Sequence, residues 1–214
     1  MKNKLLIAID VPSASGKGSS AAKIAEHFDL KYLNTGALYR ICANRYSKLG
    51  LAEENFEVNI SRLTDKIDQE NFENPELFTE KTGEIASKIA KNPKLRAALF
   101  DFQQQFIENS IKNSNGAAID GRDIASVIMP QATHKFFVTA SVEERAKRRF
   151  KQLKEKGDDV TFEEILQQLK TRDENDKNRA SSPLVMDKDA ILIDNSDLNQ
   201  EETLAKVINL IPLF

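Results

Sequence analysis

The stretch that decides the fold is LLIAIDVPSASGKGSS, residues 5–20. Its first part, Leu5 to Ile9, is a continuous apolar run that stops at Asp10. A short, partly β-branched run bounded by turn residues reads as a strand buried on both faces. The small residues from Pro12 to Ser19 then lead into a helix over 18–28, with Ala21, Ala22, Ile24, Ala25 and Phe28 on one face. A strand, a loop of small residues and a helix can turn successive backbone N–H groups and a helix N-terminus toward an anion. The candidate phosphate loop is therefore Val11, Pro12, Ser13, Ala14, Ser15, Gly16, Lys17, Gly18 and Ser19. Lys17 would reach the β- and γ-phosphates of a nucleotide, and the Ser19 hydroxyl lies near the place where Mg²⁺ is met. The pattern G-x-x-x-x-G-K-[ST] is only partly satisfied. Val11 stands at its first glycine, and Gly18 separates Lys17 from the hydroxyl of Ser19. Val11 matters because a β-branched residue is strained at positive φ. The competing reading of this fragment alone is a βα turn with a solvated lysine.

Working outward, strands and helices alternate. Residues 31–33 form a second short strand, and Asn34 or Thr35 caps a helix carrying Leu38, Ile41, Cys42 and Tyr46. From 51 to 112 there is no convincing strand, only helical patterns broken at Pro75 and at Asn92-Pro93. GAAID (116–120), HKFFVTA (134–140) and AILID (190–194) complete five strands. Ser141 to Glu144 and Thr161 to Glu164 both fit a capping box. The first of these helices carries Glu143/Lys147 and Glu144/Arg148 at i,i+4 spacing. A last helix runs from Glu201 to Ile211. This order predicts an α/β fold with a five-stranded parallel sheet flanked by helices, and a mostly helical insertion over 51–112.

Composition fits one domain. A chain of 214 residues buries about 70% of its unfolded surface. Its 30% charged and 40% hydrophobic residues are those of a globular protein. The single Cys42 excludes an internal disulfide framework and a cysteine-cluster metal site. No apolar run is long enough for a membrane span, and Leu5 to Ile9 is too short for a signal peptide, so the expected location is cytoplasmic. With a net charge of −2, the chain is not a bulk nucleic-acid binder. Any phosphate it holds must be met by a few local cations.

Three arginine segments offer those cations. Asp120-Gly-Arg-Asp123 follows an apolar strand, where ligands bind in open α/β sheets. Arg122 offers a bidentate fork for phosphate, and Asp123 an acceptor for an amino group. Asn34-Thr-Gly-Ala-Leu-Tyr-Arg40 places Arg40 one turn into a helix. Arg172, Asp176 and Arg179 are four and three residues apart, hence on one helix face. Each segment read alone is equally a turn, a capped helix or a charged helix end. Ser87 and Arg96 flank the Asn92-Pro93 break and look like surface residues. His27 and His134 read as structural.

Taken together, the segments resemble bacterial-type cytidylate kinase, a P-loop nucleoside monophosphate kinase. The matching pieces are PSASGKGS (12–19), YLNTGALYR (32–40), ASKIAKNPKLRAAL (86–99), AIDGRDIASVIMPQA (118–132), SVEERAKRRFKQLKEKG (141–157), RDENDKNRASSPL (172–184) and AILIDNSDL (190–198). The resemblance implies one kinase domain over 1–214, with an acceptor-binding insertion at 51–112 and a short lid at 150–180. It implies ATP as donor and CMP, with dCMP, as acceptor. Residues 11–19 would hold ATP. Lys17, Arg40, Arg122 and Arg179 would be catalytic. Thr35, Tyr39, Arg40, Arg122 and Arg179 would hold the acceptor, Arg172 and Asp176 its ribose side, and Ser87, Arg96 and Asp123 would read cytosine. Among Arg145, Arg148 and Arg149, Arg148 is the candidate contact to ATP. Mg²⁺ would be carried by ATP phosphates and water, with Ser19 the candidate protein ligand. The chain is expected to act as a monomer without a nucleic-acid or membrane partner. It departs from the family at Val11 and Ala14, which replace glycines, at Asn34 in place of Asp, and in a shortened insertion. Two other readings stay open: another small P-loop kinase, and a nucleotide-binding regulatory protein.

Overall fold

The computed structural model describes residues 4–15, 17–155 and 157–212, with the backbone alone for residues 17–19, 69 and 70. Five strands, β1 (Leu5–Asp10), β2 (Lys31–Asn34), β3 (Gly116–Gly121), β4 (His134–Thr139) and β5 (Ile191–Asp194), form one sheet ordered β2-β3-β1-β4-β5. All run parallel. Central β1 pairs with β3, Asp10 opposite Gly121, and with β4, Asp10 opposite Phe137. That register sets the loop after β1 beside the segment after β3. Gly116 is essential to it: at φ +136, a Cβ there would lie 1.9 Å from the Leu5 carbonyl oxygen.

The apolar run in β1 is explained by its cover. Ile7, Ile9 and Val11 join Ile24, Phe136, Ile193 and Val207 in one buried cluster. Helices α1 (Lys17–His27) and α9 (Gln200–Asn209) supply that cover, while α7 (Val142–Glu155) and α8 (Phe162–Asn178) pack on each other around a separate cluster of Ala146, Leu153, Ile165 and Leu169. The Thr161 box is complete: Glu164 N–H donates to Oγ1 at 3.3 Å, and Thr161 N–H donates to Glu164 Oε2 at 2.9 Å. At Ser141 only half of the expected box forms. Glu144 N–H donates to Ser141 Oγ at 3.2 Å, but the Glu144 carboxylate binds Lys147 at 2.6 Å. The Ser141 N–H goes instead to Ser196 Oγ at 2.9 Å, a long-range partner that the local pattern cannot reveal. Arg148 turns its hydrogen bonds to the loop after β5, while its charge still helps to lower the Glu144 carboxyl behind Lys147.

The chain divides into two compact units, Met1–Leu33 with Asn109–Phe214, and Asn34–Glu108. The second holds α2 (Thr35–Lys48), α3 (Ile60–Thr64), α4 (Gln69–Glu73), α5 (Glu80–Ile89) and most of α6 (Pro93–Asn113), with short 3₁₀ turns between. The region 51–112 is thus helical throughout its regular structure. Asn34 is the N-cap of α2, accepting from Ala37 N–H at 3.1 Å. Asn92 caps α6, accepting from Lys94 and Leu95 N–H at 2.9 and 3.1 Å, with Pro93 at the first helical position.

Candidate active site

The phosphate loop is a continuation of β1. Val11 N–H donates to the Gly121 carbonyl at 3.0 Å, and its side chain is fully buried in the sheet core. Val11 is not among the residues with positive φ. The question raised by its missing glycine is therefore answered by strand-like backbone and core packing. The left-handed position is Ala14, at φ +61. Its methyl group packs on Ala146, Leu153, Ile165 and Leu169 of α7 and α8. Pro12, Ser13 and Ser15 are buried. Ser15 Oγ has no hydrogen-bond partner among the described residues, so a buried donor stands ready in the loop. Gly16 lies outside the described residues, and of Lys17, Gly18 and Ser19 only the backbone is described.

The first unit brings the two distant arginine segments together beside this loop. Arg122 donates through Nη1 to the Val11 carbonyl, through Nη2 to Ser13 Oγ at 2.9 Å, and through Nε to Asp176 Oδ2 at 2.7 Å. Asp176 and Asp123 both face Arg179, at 4.0 and 3.9 Å. Burial pushes the Asp176 carboxyl up, but Arg122, then Arg172 and Arg179, pull it below the ordinary carboxylate range. Arg179 also donates through Nε to the Ser182 carbonyl. The result is a buried patch of alternating charge that combines rigid, planar guanidinium forks with carboxylates.

Asp10 fixes where Arg122 and Asp123 begin. Its two oxygens accept from Ile124 and Ala125 N–H at 2.7 and 3.0 Å. These N–H groups open a π-helical turn over Ile124–Ile128. Burial raises the Asp10 carboxyl to about 6, against the lowering effect of the two N–H groups. Sequence reasoning read Asp10 only as a strand end; the available signal was a carboxylate closing a wholly apolar strand. It also missed Asp173 and Asn195. Asp173 receives a fork from Arg145 at 3.1 and 2.6 Å. Asn195 donates to the Ser15 carbonyl at 3.2 Å. Arg148, expected at ATP, directs its guanidinium to Asn195 Oδ1 at 3.2 Å and to the carbonyls of Asn195, Ser196 and Leu198 at 2.6, 3.2 and 3.2 Å.

In the second unit, Arg40 donates through Nη1 to the Leu77 and Thr79 carbonyls at 2.6 and 3.2 Å. Gly83 of α5 makes room for it, since a Cβ there would meet Arg40 Nη2 at 2.8 Å. Arg96, mostly buried, lies 5.6 Å from the centroid of the Tyr39 ring and donates to the Ala90 carbonyl at 3.4 Å. Tyr39 and Arg96 thus form a flat aromatic and cationic pair. Thr35 is buried at the start of α2, and Ser87 is half-buried on α5.

Comparison with known proteins is consistent along the whole chain. Residues 7–213 match the family described as cytidylate kinase. The chain is 44% identical over 210 residues to a cytidylate kinase of Azorhizobium caulinodans, covering 97% of this chain and 98% of that one. It is 42% identical over 220 residues to a cytidylate kinase of Neisseria gonorrhoeae, covering 98% of each. Among solved structures, it resembles an uncharacterised protein from Eubacterium ventriosum in fold, with a TM-score of 0.57, 14% identity and 98% of each chain covered.

Proposed function

The chain belongs to the cytidylate kinase family and phosphorylates CMP with ATP, and we propose that it does so through the phosphate loop and the arginines gathered beside it. The observation that carries this assignment is the reach of Arg122, which touches Val11 and Ser13 of the loop and Asp176 of α8 at once. Residues 11–19 hold ATP, with Lys17 on its β- and γ-phosphates. Arg40, Arg122 and Arg179 hold the acceptor phosphate, with Thr35 and Tyr39 beside it. Arg172 and Asp176 take the ribose, while Ser87, Arg96 and Asp123 read the base. dCMP is a second acceptor in this reading.

The reaction needs little covalent help from the protein. The acceptor phosphate oxygen is already ionised near neutral pH, so no general base is required. It attacks the γ-phosphorus in line, the bond to the β-γ bridging oxygen breaks, and ADP leaves with that oxygen. Catalysis comes from alignment and from neutralising two mutually repelling anions. Mg²⁺ supplies further charge neutralisation on the phosphate oxygens when bound, with Ser19 its proposed protein ligand. The buried Ser15 Oγ, without a partner among the described residues, fits a loop made to receive such oxygens. A monomeric, cytoplasmic enzyme completes the proposal. No helix among the described residues is long and apolar enough to cross a membrane.

Cytosine presents an N4 amino donor, which suits the Asp123 carboxylate, and acceptors at N3 and O2, which suit Arg96. Uracil presents a carbonyl in place of that amino group, and a mispaired buried edge costs about 1–3 kcal/mol. The test is ADP production with CMP, dCMP, UMP, AMP, GMP and dTMP, repeated with Asp123→Ala. Turnover should be confined mainly to CMP and dCMP, with poor use of UMP, and the variant should lose more with CMP than with UMP. Equal losses for both would remove Asp123 from base reading.

A further inference from the structure

A phosphate loop must present N–H groups to its anion, so its carbonyls must face protein, where each needs a donor. Three alternate carbonyls of this loop have a side-chain donor. Val11 receives Arg122 Nη1, Ser13 receives Arg145 Nη1 at 3.0 Å, and Ser15 receives Asn195 Nδ2 at 3.2 Å. Only Arg122 belongs to the acceptor arginines; the other two anchors have no assigned role. They bracket Ala14, the residue held at φ +61. A non-glycine residue bears a steric cost in that conformation, which its surroundings must offset.

Both anchors are themselves fixed. Arg145 is almost wholly buried, donates through Nε to the Ala140 carbonyl at 3.0 Å, and forks onto Asp173 of α8. Asn195 is buried, donates its own N–H to the Thr139 carbonyl at 2.8 Å, and accepts from Arg148. The Asn195 side chain therefore uses its oxygen for Arg148 and its amide nitrogen for the loop.

We propose that Arg145 and Asn195 are positioning residues for the donor phosphates: they hold the Ser13 and Ser15 carbonyls outward, so that the loop backbone on either side of Ala14 is set for ATP. Asp173 and Arg148 act behind them by fixing their orientation. The proposal rests on the reading that residues 11–19 hold ATP, and it deepens that reading by naming what shapes the loop.

Asn195→Asp is the sharpest variant. The carboxylate still accepts from Arg148, but it cannot donate to Ser15 and repels that carbonyl. Arg145→Lys is the second: it keeps a positive charge beside Asp173, but one ammonium cannot serve Ala140, Ser13 and both Asp173 oxygens together. The full-length chain is assayed for KM with ATP, KM with CMP, and Tm, alongside Lys17→Met. Each anchor variant should raise the KM for ATP about tenfold, with the KM for CMP within about twofold and Tm close to wild type. An ATP KM unchanged in both anchor variants, but raised by Lys17→Met, overturns the positioning role alone. Equal rises for ATP and CMP with a fallen Tm also overturn it, since a merely structural role does that. An ATP KM untouched by Lys17→Met overturns the loop reading itself, and the proposal with it.

Discussion

Ala14, at φ +61, and Val11, buried in the sheet core, divide the two glycine departures of the phosphate loop into opposite cases. Val11 has a side chain that works. Val11→Gly should destabilise the protein by about 2–4 kcal/mol, through lost burial and added chain freedom. Ala14→Gly removes about 1–2 kcal/mol of left-handed strain, offset by a similar loss of methyl packing and unfolded-chain order. Its stability should stay within about 1 kcal/mol of wild type. Chemical denaturation of the two variants checks the contrast, and equal losses would refute it. Asp10 makes a pH prediction. Its carboxyl is raised from 3.8 to about 6, so the folded state binds its proton more tightly than the unfolded chain does. Its contribution is fully present below pH 3.8 and is lost as pH rises through about 6. The unfolding free energy of wild type minus that of Asp10→Asn should therefore grow as pH falls from 7 to 4. A flat difference across that window would show that burial does not govern Asp10.

Helix α5 carries a glycine in its interior, where alanine is normally better by about 1 kcal/mol. The reason for Gly83 is the Arg40 guanidinium, 2.8 Å from where a Cβ would stand. Gly83→Ala should leave stability equal or higher by up to about 1 kcal/mol, yet displace Arg40 from the Leu77 and Thr79 carbonyls. The expected kinetic signature is a higher KM for CMP with the KM for ATP unchanged. Unchanged KM values for both would dissociate Arg40 from acceptor binding. The helix ends tell how far local pattern reaches. Thr161 and Glu164 cap each other as their spacing predicts, whereas Ser141 gives its N–H to Ser196, 55 residues away. Thr161→Ala should cost about 0.5–2 kcal/mol, read by thermal melting, because the Glu164 N–H in the first turn of α8 loses its side-chain acceptor.

The two units differ in how they are built. In the first, β1 is paired on both sides and buried along nearly its whole length. In the second, α3 and α4 have five residues each, with 3₁₀ turns before α3 and after α4. Helices that short have no stability of their own. They depend on contacts such as Arg45, which donates to the carbonyls of Leu63 and Asp65 at 3.0 and 2.5 Å and to Asn71 Oδ1 at 3.0 Å. Native-state hydrogen exchange should find the amides of β1 and β3 slowest and those of α3 and α4 orders of magnitude faster. Comparable protection in both would mean that the molecule opens only globally.

The sequence by itself determined the alternation of strands and helices, and it marked out the candidate phosphate loop and the three arginine segments. Those signals are local: an apolar run, small turn residues, a capping pair, a four-and-three spacing. Only the tertiary structure decided that Ala14 rather than Val11 takes the left-handed turn, because Val11 N–H pairs with Gly121 across the sheet. Only the fold brought Arg122 to Asp176 and Asn195 to Ser15, residues 54 and 180 positions apart. It did so because parallel strands align the loops at their C-terminal ends, whatever the length of chain between them.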